Sequence, residues 1–253
     1  EATEEPTLSA DEIRSLADNL MAEADMIAAG YDYMKAISML ENFEYFEQFP
    51  EMTTKIAQYR EADSQLVSYT NMHEITHIFF HSLIVDPSRA FDGEYTDDGY
   101  NLYMTTVSEF ISILEQMYER GFVLVTPYQV AYEVTDETGT HFTYGDIRLP
   151  EGKQPFIMSQ DDLNYYGYMI AGEDGTGEKP IYASTAGDGF AHRIVIGEDG
   201  YPTCEYMDIN GNVTTGDYDL VPVLETFIQQ HPDFAYQGAR AVLGMTGYEG
   251  VFG

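Results

Sequence analysis

The chain has 253 residues, enough for one large domain or for one domain with a smaller one beside it. Its 44 Asp and Glu outweigh 11 Lys and Arg, and the net charge of −33 repels nucleic-acid phosphates and anionic membrane surfaces. The single cysteine, Cys204, excludes an intrachain disulfide and a cysteine-based zinc site, and no run of about 18 apolar residues offers a membrane span. Residues 1–7 form a polar tether without an initiator Met, which fits a mature chain freed of a signal or lipoprotein segment, or a sequence begun at an arbitrary boundary. The first reading places the protein outside the cell or on its surface.

Residues 1–70 read as a helical preface. Ser9 and Glu12 have capping-box spacing, and Ile13, Leu16, Ala17, Leu20, Met21 and Ala24 recur at three and four residues until Gly30 ends the helix. A second helix is capped by Asp32, and a third runs from about Glu51 to Val67. The stretch from Ala28 to Leu40 has a faint tetratricopeptide pattern, but a plain helical hairpin explains it as well. Either way one such unit cannot bury both faces, so it is expected to pack on the next domain.

The hydrophobic period changes at Ile75. Thr76–Ile84 is nearly continuous in apolar, β-branched and aromatic residues, and reads as a buried strand with His77, Phe79 and His81 on one side. A long polar loop runs from Asp86 to Asn101. Thr105 or Thr106 then caps a helix reaching Arg120, and Phe122–Thr126 is the next strand, so strand, helix and strand make a parallel unit. After a short helix at Pro127 comes a polar hairpin-like region holding Gly139 and Gly145. The third strand, Pro155–Ser159, runs into Asp161 and Asp162.

An insertion at about 171–216 contains two short alternating runs, Ala191–Ile196 and Thr203–Met207, and reads as a β-hairpin flap over one end of the sheet. Asp219 caps a helix, Leu220–Gln230, and Arg240–Thr246 is a fourth strand. The last strand has no helix after it, so the barrel-like α/β domain, residues 71–253, reads as cut short at its C-terminal end. Open sheet edges then offer a route to oligomers.

Two adjacent carboxylates just past a buried strand are placed as α/β proteins place chemistry, at the carboxyl end of parallel strands. One could hold a metal while the other takes a proton from water. The same pair also fits a solvated loop or a helix cap.

Four stretches in order carry a resemblance: Phe79-Phe80-His81-Ser82-Leu83; Met117 to Phe122 with Val125-Thr126 after it; Leu149 to Phe156 running into Ser159-Gln160-Asp161-Asp162; and Gly238 to Leu243 running into Thr246-Gly247. Together they resemble the polysaccharide deacetylase family, the NodB-like carbohydrate esterases, and within it the branch acting on poly-N-acetylglucosamine. The resemblance covers roughly Thr76–Gly253. It implies an α/β fold of the partial (β/α)-barrel type and metal-dependent hydrolysis of N-acetyl groups on an amino-sugar polysaccharide. It implies Asp161 as catalytic base, Asp162 as a ligand of zinc, and His81 as a pocket residue that meets substrate. The family has Phe before its Asp pair and Gly after it, where this chain has Gln160 and Leu163. The family's later His-Ser/Thr-x-x-His motif, which supplies two zinc ligands, is missing. Two readings therefore stay open: a deacetylase lacking its C-terminal half and inactive in this form, or a degenerate homologue or glycan-binding module with Tyr165, Tyr166 and Tyr168 as a sugar-stacking edge.

Overall fold

The computed structural model describes residues 8–93, 97–161, 163, 169–170 and 187–245. Helices α1 (Ala10–Ala29), α2 (Tyr33–Glu41) and α3 (Pro50–Ser64) come first. The capping box forms as expected. Glu12 N donates to Ser9 Oγ, and Ser9 N donates back to the Glu12 carboxylate at 2.8 Å. The Ser9 hydroxyl, donating to the Glu12 carboxylate at 2.7 Å, and then the Ser9 backbone N–H hold the Glu12 carboxyl below its usual range. Ala17, Ala24, Ala36, Leu40 and Met52 are fully buried where the helices meet, the small side chains letting the backbones approach.

The turn after α1 passes through Tyr31, whose φ of 67° is uncommon for a residue with a Cβ. The conformation is held from the far end of the chain: Tyr31 Oη donates to Asp233 O at 3.0 Å, and Gln237 N donates to Gly30 O at 2.7 Å. The preface thus packs on the α/β domain at this corner. The third helix stops at Ser64, short of the expected Val67. Leu66 turns inward beside Met72 and Ile147, and Val67–Ser68 forms a short strand, β1.

Next come β2 (Thr76–Phe80), α4 (Pro87–Ala90), α5 (Asp97–Tyr103), α6 (Val107–Glu119), β3 (Phe122–Leu124), α7 (Pro127–Val130), and a hairpin of β4 (Ala131–Asp136) and β5 (Gly139–Tyr144). After these stand β6 (Arg148–Leu149), β7 (Gln154–Asp161), β8 (Arg193–Ile196), β9 (Pro202–Met207), β10 (Val213–Gly216), α8 (Leu220–Gln230) and β11 (Val242–Gly244). The polar stretch after Asp86 is therefore not an open loop throughout. It carries two short helices.

The central sheet is parallel and organised on β7. Phe156 lies opposite both Thr76 and Leu124, and Ser159 opposite both Phe79 and Val242. A strand has two edges, so β2 fills one edge of β7 while β3 and β11 share the other end to end. Both long helices of this region cover the same face. Phe110 and Leu114 of α6, with Leu224 and Phe227 of α8, pack on Phe156 and Met158. The arrangement is mixed helix and sheet, and the described strands close no barrel.

The opposite face is covered only toward the start of β7, by Val123, Val125, Ile147 and Leu149 with Ile75 and Ile157. Toward the end of β7 the neighbouring Phe79 of β2 is exposed on this face. β2, expected as a strand buried on both sides, is covered on one: Phe79 is 57% exposed. The strand is shorter than the apolar run suggested because its other half, Ser82–Ile84, leaves the sheet and is buried elsewhere.

The insertion forms a three-stranded antiparallel sheet ordered β10-β9-β8. Ala191, Ile194 and Cys204 pack with Val85, Leu163 and Leu243, residues just past the ends of β2 and β7 or in β11, which seats this sheet beside the carboxyl end of the parallel one. Arg89 ties it down. Its Nη1 donates to Tyr206 Oη at 2.8 Å and to Met207 O at 3.1 Å, and its Nη2 donates to Gly187 O at 3.0 Å.

Candidate functional site

Alternation on two parallel strands builds the site. On β7, Ile157, Ser159 and Asp161 share one side and Met158 and Gln160 the other. On β2, His77 lies opposite Ile157 and Phe79 opposite Ser159, so His77 and Phe79 join that side. One residue past β2, His81 comes level with Asp161. Its Nδ1 donates to Asp161 O at 3.1 Å. A carbonyl can only accept, so in this bond Nδ1 carries the proton, and Nε2 of the neutral ring keeps its lone pair. The edge of the Phe79 ring packs against the His81 ring, centroids 6.0 Å apart.

The Asp161 side chain is held from below. Ser159 Oγ donates to Asp161 Oδ1 at 2.8 Å, and His77 Nε2 lies 2.9 Å from Ser159 Oγ. The hydroxyl proton is committed to the carboxylate, so His77 donates in the second contact. The order His–Ser–Asp is not that of a serine nucleophile, in which an imidazole stands between hydroxyl and carboxylate. Ser159, 4% exposed, is a strut that orients Asp161 rather than an attacking group. Beside it, Gly244 leaves the flank of Asp161 without a side chain; a Cβ there would stand 3.5 Å from Asp161 Oδ1.

Gln160 points the other way and anchors the platform. Asp219, fully buried, accepts from Gln160 Nε2 at 2.9 Å, Leu83 N at 3.0 Å and Leu220 N at 2.8 Å. One carboxylate thus joins the end of β7, the segment after β2 and the start of α8. The two strand ends that carry Asp161 and His81 are fixed relative to each other through it.

Of the residues expected from the sequence, Asp161 and His81 meet. Asp162 and Tyr165 lie outside the described residues, as do Tyr166 and Tyr168. The other histidines are elsewhere. His231 ends α8 with its ring against Tyr118 and Phe227, centroids 4.4 and 4.7 Å away. His192 precedes β8, where burial and then the charge of Arg193 lower its pKa. His73 and His141 lie beside Glu74 and Asp136. Catalytic zinc is usually held by three protein ligands plus water. Among the described residues no group of three or more His, Cys, Asp or Glu side chains could hold a metal ion. The described donors therefore do not complete a zinc set.

His77 and Ser159 stand in the candidate site, although the sequence by itself gives neither a role there. The signal was present in the two-residue spacings His77-x-Phe79-x-His81 and Ser159-x-Asp161, which put each set on one side of its strand. Only the register of β2 on β7 shows that the two sides are the same.

No family model matches this chain, and neither the curated proteins nor the solved structures compared with it give a match.

Proposed function

We propose that the carboxyl end of the parallel sheet is a hydrolytic site acting on the N-acetyl groups of an amino-sugar polysaccharide, in an incomplete (β/α) barrel of the polysaccharide deacetylase type. The observation that carries this reading is the meeting of His81 and Asp161 across two parallel strand ends, with Asp161 braced by Ser159 and His77. A general base must be held in place and still reach solvent. Asp161 meets both demands, being only partly buried and bonded through one oxygen to a strut. Phe79 supplies an exposed apolar wall for a sugar ring or an acetyl methyl group.

In the proposed reaction Asp161 takes a proton from water as the water oxygen attacks the acetyl carbon. The carbon–nitrogen bond breaks as the proton held by Asp161 passes to the nitrogen, and acetic acid leaves a free amine on the sugar; the acid then ionises to acetate. His81 Nε2, with its lone pair, accepts a hydrogen bond from a substrate N–H or hydroxyl. Zinc belongs to the proposal through the resemblance, with Asp162 as one ligand; bound there, it would polarise the carbonyl and acidify water.

The test is acetate release from an N-acetylglucosamine hexamer with zinc supplied, by a chain long enough to carry the two missing zinc histidines, since the incomplete-deacetylase reading expects this chain by itself to be inactive. Asp161→Asn is expected to lower the rate by roughly 10²–10⁴-fold. Equal rates in the two proteins would remove Asp161 as the base. Binding of the hexamer without any acetate release by that longer wild-type chain would replace this reading with that of a glycan-binding module.

A further inference from the structure

The β4–β5 hairpin has no residue that is buried, yet it and the short helix before it are rich in aromatic rings. Tyr128 is 83% exposed, Phe142 73%, Tyr144 61% and Tyr132 48%. Phe142 and Tyr144 are alternate residues of β5 and share one side, with Glu133 opposite Phe142 and the bonded hydroxyls of Thr135 and Thr140 completing that surface. A two-stranded hairpin is marginal in water by itself, and its rings support it only through their cross-strand neighbours, which are Glu133 for Phe142 and Ala131 for Tyr144. Their display calls for a ligand.

The charge and shape say which kind. Between Thr126 and Ile147 the chain has four carboxylates, Glu133, Asp136, Glu137 and Asp146, and no Lys or Arg. Hydrogen bonds from Thr138 keep the Asp136 carboxyl below its usual range, so that charge persists into acid. A two-stranded ribbon with no buried residue offers no pocket to anchor a partner's side chain. A second copy of a chain with net charge −33 would meet repulsion. Flat rings with hydroxyls and carboxylates around them instead suit the faces of sugar rings that bear amines.

We propose that this hairpin is a second glycan site, distinct from the carboxyl end of the sheet, that holds amino-sugar polymer carrying free amines. Tyr128, Phe142 and Tyr144 stack on the rings, and the carboxylates attract the ammonium groups. The choice of an amino sugar rests on the function proposed for Asp161, since such a polymer is the product of that reaction; the stacking surface does not rest on it. The hairpin would hold deacetylated stretches of a chain while acetylated stretches reach Asp161.

The experiment is calorimetric titration of the whole chain with a glucosamine hexamer and, separately, an N-acetylglucosamine hexamer. The same titrations are run on a variant carrying Tyr128→Ala, Phe142→Ala and Tyr144→Ala. The variant is expected to keep the wild-type Tm, because none of the three side chains is buried, and to bind the glucosamine hexamer on the order of tenfold more weakly. The wild-type chain is expected to prefer the glucosamine hexamer at low salt and to lose that preference as salt rises. Unchanged affinity in the variant, or no preference at low salt, overturns the proposal. So does a concentration-dependent dimer that the three substitutions abolish, which would make the hairpin a self-association surface. Acetate release by the longer chain with zinc supplied separates the two claims: its absence there, with binding through the rings intact, removes the proposed reaction and leaves this site standing.

Discussion

The two faces of the central sheet are made by the same strands and have opposite fates. On one face Phe156, Met158 and Gln160 alternate into a core closed by α6 and α8, and Gln160 ends on a fully buried carboxylate. On the other, Ser159 and Asp161 of the same strand stand beside His77 and Phe79, which solvent reaches. Parallel sheets are ordinarily covered on both sides. Here one face holds the fold together, while on the other Phe79 stays exposed. Alternation along β7 lets one strand serve both.

Substitutions on the two faces should separate in the same way. Phe156→Ala removes a ring that is fully buried among Phe122, Phe234 and the helices, and is expected to cost about 3–5 kcal/mol of stability in denaturant unfolding. Asp219→Ala leaves the Leu83 and Leu220 amides and the Gln160 side-chain amide without their acceptor; a loss of roughly 3 kcal/mol is expected by the same measurement. Phe79→Ala, on the open face, should change stability by no more than about 0.5 kcal/mol. A Phe79→Ala cost matching that of Phe156→Ala would show that the open face is packed in solution and would end the contrast.

Much of the architecture was legible in the sequence. Ser9 with Glu12, the Thr105-Thr106 pair, and Asp219 announce helix starts through side chains that reach only a few residues, and caps form at Ser9, Thr106 and Asp219. Strands β2, β3, β7 and β11 fall within or beside their expected apolar runs, because burial on the α6–α8 face demands such residues. What the runs could not show was the burial of each side. Phe79 and Phe80 look alike in sequence, and only the one-sided placement of α6 and α8 exposes the first and covers the second. For the site, Asp161 and His81 were named from a resemblance, and their strand ends do converge. The Ser159–His77 brace depended on register across 82 positions of sequence, which local pattern does not encode. The β4–β5 hairpin was read as polar, since its threonines and carboxylates dominate; its rings gain meaning once they are seen to lie outside any core.

The most direct test follows the imidazole signals by NMR as an N-acetylglucosamine hexamer is added to the chain. If the open end of the sheet is the site, the His77 and His81 resonances shift with the ligand, while His231, packed between Tyr118 and Phe227, stays where it is. Saturating hexamer that leaves His77 and His81 unmoved would contradict the account.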